Sequence, residues 1–238
     1  MNSVKYKKLT TQTIAHRGLS GIECENTCAA FVAAGNRSYF GIETDVHITA
    51  DGNFVVIHDD NTARVSDINL EVEKSTLSKL REIRLQIQDG YKREDYIIPT
   101  LEEYIDICKR YEKTAVLELK NTFEADDIRK IVDIIKEREY LNSVIFISFQ
   151  LENLKTLRKL LPSQKLQYLV SEFNNDILQK LKEYKLDIDI EYQALDKNAV
   201  RVLKSNDIKI NCWTCDDKDY AEKLVKMGVD FITSNILE

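Results

Sequence analysis

The stretch Ala115-Val116-Leu117-Glu118-Leu119-Lys120, followed by the amphipathic run Ala125–Arg138 and then by Val144-Ile145-Phe146-Ile147-Ser148-Phe149, decides the fold. The two apolar runs are short and read as buried strands, while the segment between them carries its apolar residues at helical spacing. A strand, a helix and a second strand in this order make a βαβ unit with parallel strands. The unit repeats in both directions. Strand candidates are Thr13–His16, Gly41–Val46, Ala115–Leu119, Val144–Phe149, Leu166–Val170, Ile188–Tyr192, Lys209–Trp213 and Phe231–Ser234. Helical periods mark Cys28–Ala34, Leu101–Tyr111, Ala125–Arg138, Leu151–Leu161, Asp176–Tyr184, Lys197–Lys204 and Lys218–Met227. Eight strands alternating with helices in 238 residues predict an α/β fold, a TIM-type (β/α)8 barrel.

One run breaks the alternation. Phe54–His58 follows Gly41–Ile48 after only Thr49-Ala50-Asp51-Gly52-Asn53, too short for a parallel crossover. It reads as a hairpin extension of the second strand, turning at Asp51-Gly52. That register sets Ala50 opposite Asn53 and brings His58 beside Asp45. Residues 60–99 then form a polar insertion after the second strand. With two prolines, seven glycines and no low-complexity linker, residues 1–238 read as one domain.

Composition narrows the function. The 34 basic and 40 acidic side chains give a net charge of −6, with no basic footprint for nucleic acid. No apolar run reaches the roughly 18 residues of a membrane span. The N-terminal residues lack the apolar core of a signal peptide, so a cytoplasmic protein is expected. Cys212-Trp213-Thr214-Cys215 has redox-pair spacing, but in a strand the two thiols face opposite ways. Nothing completes a zinc set, so all five cysteines read as buried, reduced thiols.

In such a barrel the C-terminal strand ends carry the active site. His16 and Arg17 end the first strand, Glu43 and Asp45 the second, and Glu118 and Lys120 the third. Members of each carboxylate or carboxylate–lysine pair are two residues apart and share a face. Glu43, Asp45 and Glu118 pointing inward make an oxygen-rich site for Mg2+ or Ca2+, which relieves their mutual repulsion. Singly, each group has an ordinary reading: a solvated Glu-x-Asp face, a surface His-Asp pair, a core histidine, an exposed lysine. Their joint placement on one rim does not.

Read in order, His16-Arg17-Gly18, Glu25-Asn26-Thr27, Glu43-x-Asp45, Asp51-Gly52, His58-Asp59, Ile98-Pro99-Thr100-Leu101-Glu102-Glu103, Glu118-x-Lys120, Ser148-Phe149, Trp213-Thr214 and Gly228-Val229-Asp230 resemble the motif series of the glycerophosphodiester phosphodiesterases. The resemblance runs from about residue 13 to about residue 234. It implies Glu43, Asp45 and Glu118 as metal ligands, His16 and His58 as the acid–base pair, Arg17 as a phosphate-binding arginine and Lys120 as a basic group near the phosphate. Glu25 opens a stretch that both contacts the site and caps the first helix, with Asn26 and Thr27 read as structural. Trp213 and Phe149 read equally as walls of a glycerol pocket or as plain core. Cys24 stands where the family usually has proline. Thr233-Ser234-Asn235-Ile236 lacks the aspartate and proline that commonly follow the threonine.

The implied reaction is metal-dependent hydrolysis of a small glycerophosphodiester to sn-glycerol 3-phosphate and an alcohol, with His16 favoured as the base. Attack by the glycerol 2-hydroxyl through a cyclic phosphate and direct attack by water both fit the residues. Two alternatives compete. One is a phosphodiesterase of lysophospholipids or other lipid headgroups, for which no exposed aromatic loop is visible. The other is a non-catalytic barrel that binds a phosphorylated ligand.

Overall fold

The computed structural model describes residues 2–87 and 90–238. Its elements, in chain order, are β1 (Gln12–Ala15), α1 (Cys28–Gly35), β2 (Gly41–Ile48), β3 (Phe54–Val56), α2 (Leu77–Glu82), α3 (Leu101–Arg110), β4 (Thr114–Leu119), α4 (Ala125–Glu137), β5 (Val144–Ser148), α5 (Leu151–Leu160), β6 (Lys165–Val170), α6 (Asn175–Tyr184), β7 (Asp187–Glu191), α7 (Lys197–Ser205), β8 (Ile210–Trp213), α8 (Lys218–Met227) and β9 (Phe231–Ser234). β1 pairs in parallel with both β2 and β9, and β4 to β9 follow one another in parallel, so eight strands close into a TIM barrel. Every expected strand and helix is present, with ends displaced by at most two residues.

The helices start where the sequence supplies a cap. Thr27 accepts the Ala30 amide at the start of α1, Asp196 the Ala199 amide at α7, and Asp217 the Tyr220 amide at α8. Thr100 and Glu103 form a reciprocal capping box on α3. The helices bury their apolar stripes against the outer strand faces in one continuous core. Inside the barrel, Ile14, Val116, Ile145, Ile147, Leu169 and Phe231 fill the space, and Phe40 stacks on Phe231 at 5.4 Å. This cluster fills the barrel interior and, through Ile147 and Leu169, reaches the cavity at the C-terminal rim.

The hairpin register differs from expectation by one residue. Val46 pairs with Val56 and Ile48 with Phe54, so Ile57, not His58, donates its amide to the Asp45 carbonyl. The turn takes three residues, Ala50-Asp51-Gly52, instead of two. Thr49 causes the change: its hydroxyl bonds the Asp51 carboxylate and accepts the Asn53 amide, and Gly52 takes a φ of +78°.

The insertion is not the purely polar excursion expected. Val65, Val72, Leu80, Ile83, Leu85, Tyr96 and Ile98 form a second apolar cluster with Val55 and Ile57, and α2 lies within it. Its apolar residues are too sparse and irregular to show a period. Gln88 and Asp89, inside the expected insertion, lie outside the described residues. All five cysteines are free; four are buried as expected, whereas Cys28 is half-buried on α1.

Beneath the barrel, the Glu238 carboxylate gathers Lys5 at 2.5 Å, the Ser38 amide at 2.7 Å and the Ser3 hydroxyl. Burial opposes its ionisation, but Lys5 and the hydrogen bonds from Ser3 and Ser38 outweigh it and pull the group down from 4.5 to about 2. A depressed carboxylate stabilises the fold above its unfolded pKa, and that contribution fades as pH falls through the folded value. The thermal midpoint of Glu238→Gln should therefore lie below wild type at pH 6, with the gap closing between about pH 4.5 and 2. A gap independent of pH would show that the ionised contacts do not matter.

Candidate active site

The rim site is built on β2 and β4. Asp45 and Glu118 are register partners on these neighbouring strands, and Glu43 lies two residues before Asp45 on the same face. All three carboxylates are buried, and one oxygen from each falls within 4.8 Å of the others. Burial and then Asp45 push Glu43 well above the usual carboxylate range, and the same causes raise Glu118 to about 8. Burial would raise Asp45 too, but Arg17, His58 and Lys120 hold it well below that range. Lys120 Nζ lies 3.1 Å from Glu118 Oε1, yet that oxygen has no aligned donor. A hard divalent cation fits this donor set and its surplus negative charge.

The turn after β1 is shaped by the site itself. Arg17 has a φ of +54° and gives its amide to Glu43 Oε2 at 2.8 Å. Gly18 follows at +75°, and a Cβ there would lie 2.7 Å from the Ala30 backbone, so the turn packs directly on α1. Arg17 Nε is buried without a hydrogen bond, 3.6 Å from Asp45 Oδ2. Its Nη1 donates to Glu25 Oε1 at 2.9 Å. Arg64, from the insertion, grips Glu25 with two further bonds of 2.7 and 2.8 Å. Asn26 orients Asp45 through a 2.8 Å bond while accepting from Thr44, and Thr27 caps α1, so both are structural as read from the sequence.

The two histidines take the same tautomer. His16 Nδ1 lies 2.7 Å from Asn235 Oδ1. That oxygen also accepts from Ser20, while Asn235 Nδ2 donates to Asp216 at 2.6 Å. An amide oxygen only accepts, so His16 carries its proton on Nδ1 and leaves Nε2 bare, 4.0 Å from Glu43 Oε2. Burial, then Arg17, lower His16 to about 4. His58 Nδ1 donates to Asp59 at 2.5 Å, and Arg64 anchors that carboxylate at 2.7 Å. Burial also lowers His58, with Asp45 and Asp59 acting against it.

Two cavities open here. The smaller, about 120 Å³, is lined by His16, Arg17, Glu43, His58, Glu118 and Lys120 on one side. Ile147, Phe149, Leu169, Asp189, Trp213 and Thr233 line the other. Phe149 and Trp213 meet edge to face at 5.5 Å and both line this cavity, and Trp213 also packs against the interior apolar cluster. Glu25 does not reach it. It lines a larger cleft of about 630 Å³ with Ser20, Glu23, Arg64, Val65 and Asp216.

The model of the glycerophosphoryl diester phosphodiesterase family matches residues 16–237. The chain belongs to that family. A glycerophosphodiester phosphodiesterase of Caldanaerobacter subterraneus subsp. tengcongensis is 31% identical over 234 residues, covering 95% of each chain. A phosphodiesterase of Oleispira antarctica, solved with its product sn-glycerol-3-phosphate, superposes with a TM-score of 0.88 at 29% identity, covering 98% of this chain and 96% of that one. A glycerophosphodiester phosphodiesterase structure from Parabacteroides distasonis gives 0.80 at 29% identity, covering 96% and 94%. As a glycerophosphodiester phosphodiesterase the chain is an enzyme, a phosphoric diester hydrolase. Among the described residues no helix is long and apolar enough to cross a membrane.

Several residues of the site escaped the sequence reading. Buried His47 donates from Nε2 to the His58 carbonyl at 3.3 Å, fixing the arm that carries His58. It follows Asp45 at i+2, a signal that was available. Asn235 and Asp216 act through partners distant in sequence, and Arg64 joins nearby Asp59 to distant Glu25. Asp189 stands in the alternation Asp187-Ile188-Asp189-Ile190-Glu191, which marks an inward polar face.

Proposed function

We propose that residues 1–238 form one catalytic unit that hydrolyses glycerophosphodiesters to sn-glycerol 3-phosphate and an alcohol. A divalent cation, Mg2+ or Ca2+, is held by Glu43, Asp45 and Glu118. The observation that carries this reading is the convergence of two Nδ1-protonated histidines with that carboxylate triad. When bound, the cation offsets phosphate charge as a Lewis acid. Arg17 Nε, buried and without a hydrogen bond, and Lys120 supply donors for the non-bridging oxygens. Burial and the cationic neighbour Arg17 favour the uncharged form of His16, so its bare Nε2 takes the proton of the attacking hydroxyl or water. His58 has the Asp59 carboxylate behind it, which stabilises an imidazolium able to protonate the leaving alcohol.

Phe149 and Trp213 wall the glycerol side, and the larger cleft, with Glu25 on its wall, receives the leaving group. The charged groups of that cleft, Glu23, Glu25, Arg64 and Asp216, favour a water-soluble headgroup over an acyl chain. Five free thiols suit a reducing, cytoplasmic setting. The test is release of sn-glycerol 3-phosphate from glycerophosphocholine with Mg2+, Ca2+ or EDTA, with and without detergent micelles. Product that requires a cation and ignores micelles is expected. No product with any cation, on this or on glycerophosphoethanolamine, would sink the reading.

A further inference from the structure

We infer that Asp189 is a substrate-binding residue that hydrogen-bonds a hydroxyl of the glycerol moiety and so selects a three-carbon polyol over other phosphate esters. The inference rests on the functional reading above. Asp189 sits on β7, 1% exposed, and lines the small cavity opposite the metal carboxylates. Its Oδ1 has no hydrogen-bond partner. Buried polar groups are almost always satisfied, and leaving one bare is costly. Asn211, on the next strand, gives its amide to Gln167 at 3.3 Å, accepts from Thr233 at 3.2 Å and also lies against the Asp189 carboxyl, yet Oδ1 is left without a bond.

The surroundings identify the partner. Cations and metal carboxylates occupy one side of the cavity and suit the phosphate. Across from them, Ile147, Leu169 and Trp213 offer apolar surface to a short carbon chain, and among them Asp189 is the one carboxyl. The matching ligand fragment is a short chain that carries a hydroxyl. A carboxyl accepts from a hydroxyl when ionised and donates to one when neutral, so the contact stands in either state.

The test compares sn-glycerol 3-phosphate, propyl phosphate and inorganic phosphate, titrated calorimetrically into the Mg2+- or Ca2+-loaded protein. Wild type is expected to bind sn-glycerol 3-phosphate at least about tenfold tighter than propyl phosphate, which lacks the hydroxyls. Asp189→Leu is expected to lose that preference while binding inorganic phosphate as wild type does. Asp189→Asn, which keeps a donor and an acceptor, should retain most of it. Asp189→Ala serves if the leucine variant does not fold. A preference that survives in both Leu and Ala variants overturns the inference. So does an equal weakening of all three ligands, which would mark a residue that shapes the whole site. A wild type that binds phosphate but shows no preference removes Asp189 from substrate recognition. One that binds none of the three and hydrolyses nothing overturns the functional reading as well.

Discussion

His16→Ala is expected to lower kcat for release of sn-glycerol 3-phosphate by roughly 10²–10⁴-fold, the usual contribution of a positioned acid or base. KM should change little, and the thermal midpoint should stay close to wild type. The stability expectation follows from what the side chain touches. His16 bonds Asn235 and faces Glu43, and it belongs to no apolar cluster. The kinetic expectation follows from its tautomer. Asn235 cannot turn its oxygen away from His16 without giving up the bond its amide donates to the Asp216 carboxylate. The imidazole is therefore held with Nε2 bare and directed at the site, and no neighbouring side chain can substitute for it. Steady-state kinetics on glycerophosphocholine with a melting curve check both parts; a loss under about threefold would remove His16 from the proton transfer.

The barrel was legible because its signal is repeated. Eight strands and the seven helices between them each have a period, and an error in one leaves the others standing. The carboxylate site was legible for a related reason: residues two apart on a strand share a face wherever the strand lies, so Glu43, Asp45, Glu118 and Lys120 come together once the barrel is granted. What failed to show depended on single side chains. Thr49 shifts the hairpin by one residue through its hydroxyl, and no propensity scale weighs that bond. The insertion hides its apolar cluster because Val65, Val72, Leu80 and Ile98 come from an irregular path with one short helix. Asn235 and Asp216 matter only because β9 closes against β1, a contact over more than 200 residues of chain.

The departure noted at the end of the last strand acquires a meaning in this light. Where the family commonly has aspartate and proline, this chain has Ser234-Asn235-Ile236. Asn235 takes over the Nδ1 side of His16, and Asp216, from the loop after β8, holds Asn235 in turn. A neutral amide orients the imidazole without adding charge beside it, whereas Asp59 does add charge beside His58. The two histidines thus share a tautomer but differ in electrostatics, and in the proposed mechanism that difference separates base from acid.

Glu118→Gln is expected to make the cation-free protein more stable and the enzyme nearly inactive. Burial and then Asp45 raise the folded pKa of Glu118 from 4.5 to about 8. A raised carboxyl adds stability only at low pH; that contribution is lost as pH climbs from the unfolded value through the folded one. Above about pH 4.5 wild type therefore bears a growing penalty until about pH 8, and glutamine removes it. In EDTA, the thermal midpoint of Glu118→Gln should rise above wild type across this window and equal it near pH 4. Added Mg2+ or Ca2+ reverses the order. A ligand that binds only the folded state raises its stability by mass action, so wild type should gain with cation concentration. The variant, short of one of three anionic ligands, should gain much less. Hydrolysis should fall at least about 100-fold, since even outer partners of metal ligands cost 10–100-fold. A rigid scaffold role for Glu118 predicts the opposite pattern: loss of stability at every pH and an unchanged cation response. Melting curves with and without cation at pH 4 and pH 8 separate the two, because the carboxylates that weaken the empty barrel are the ones proposed to hold the ion.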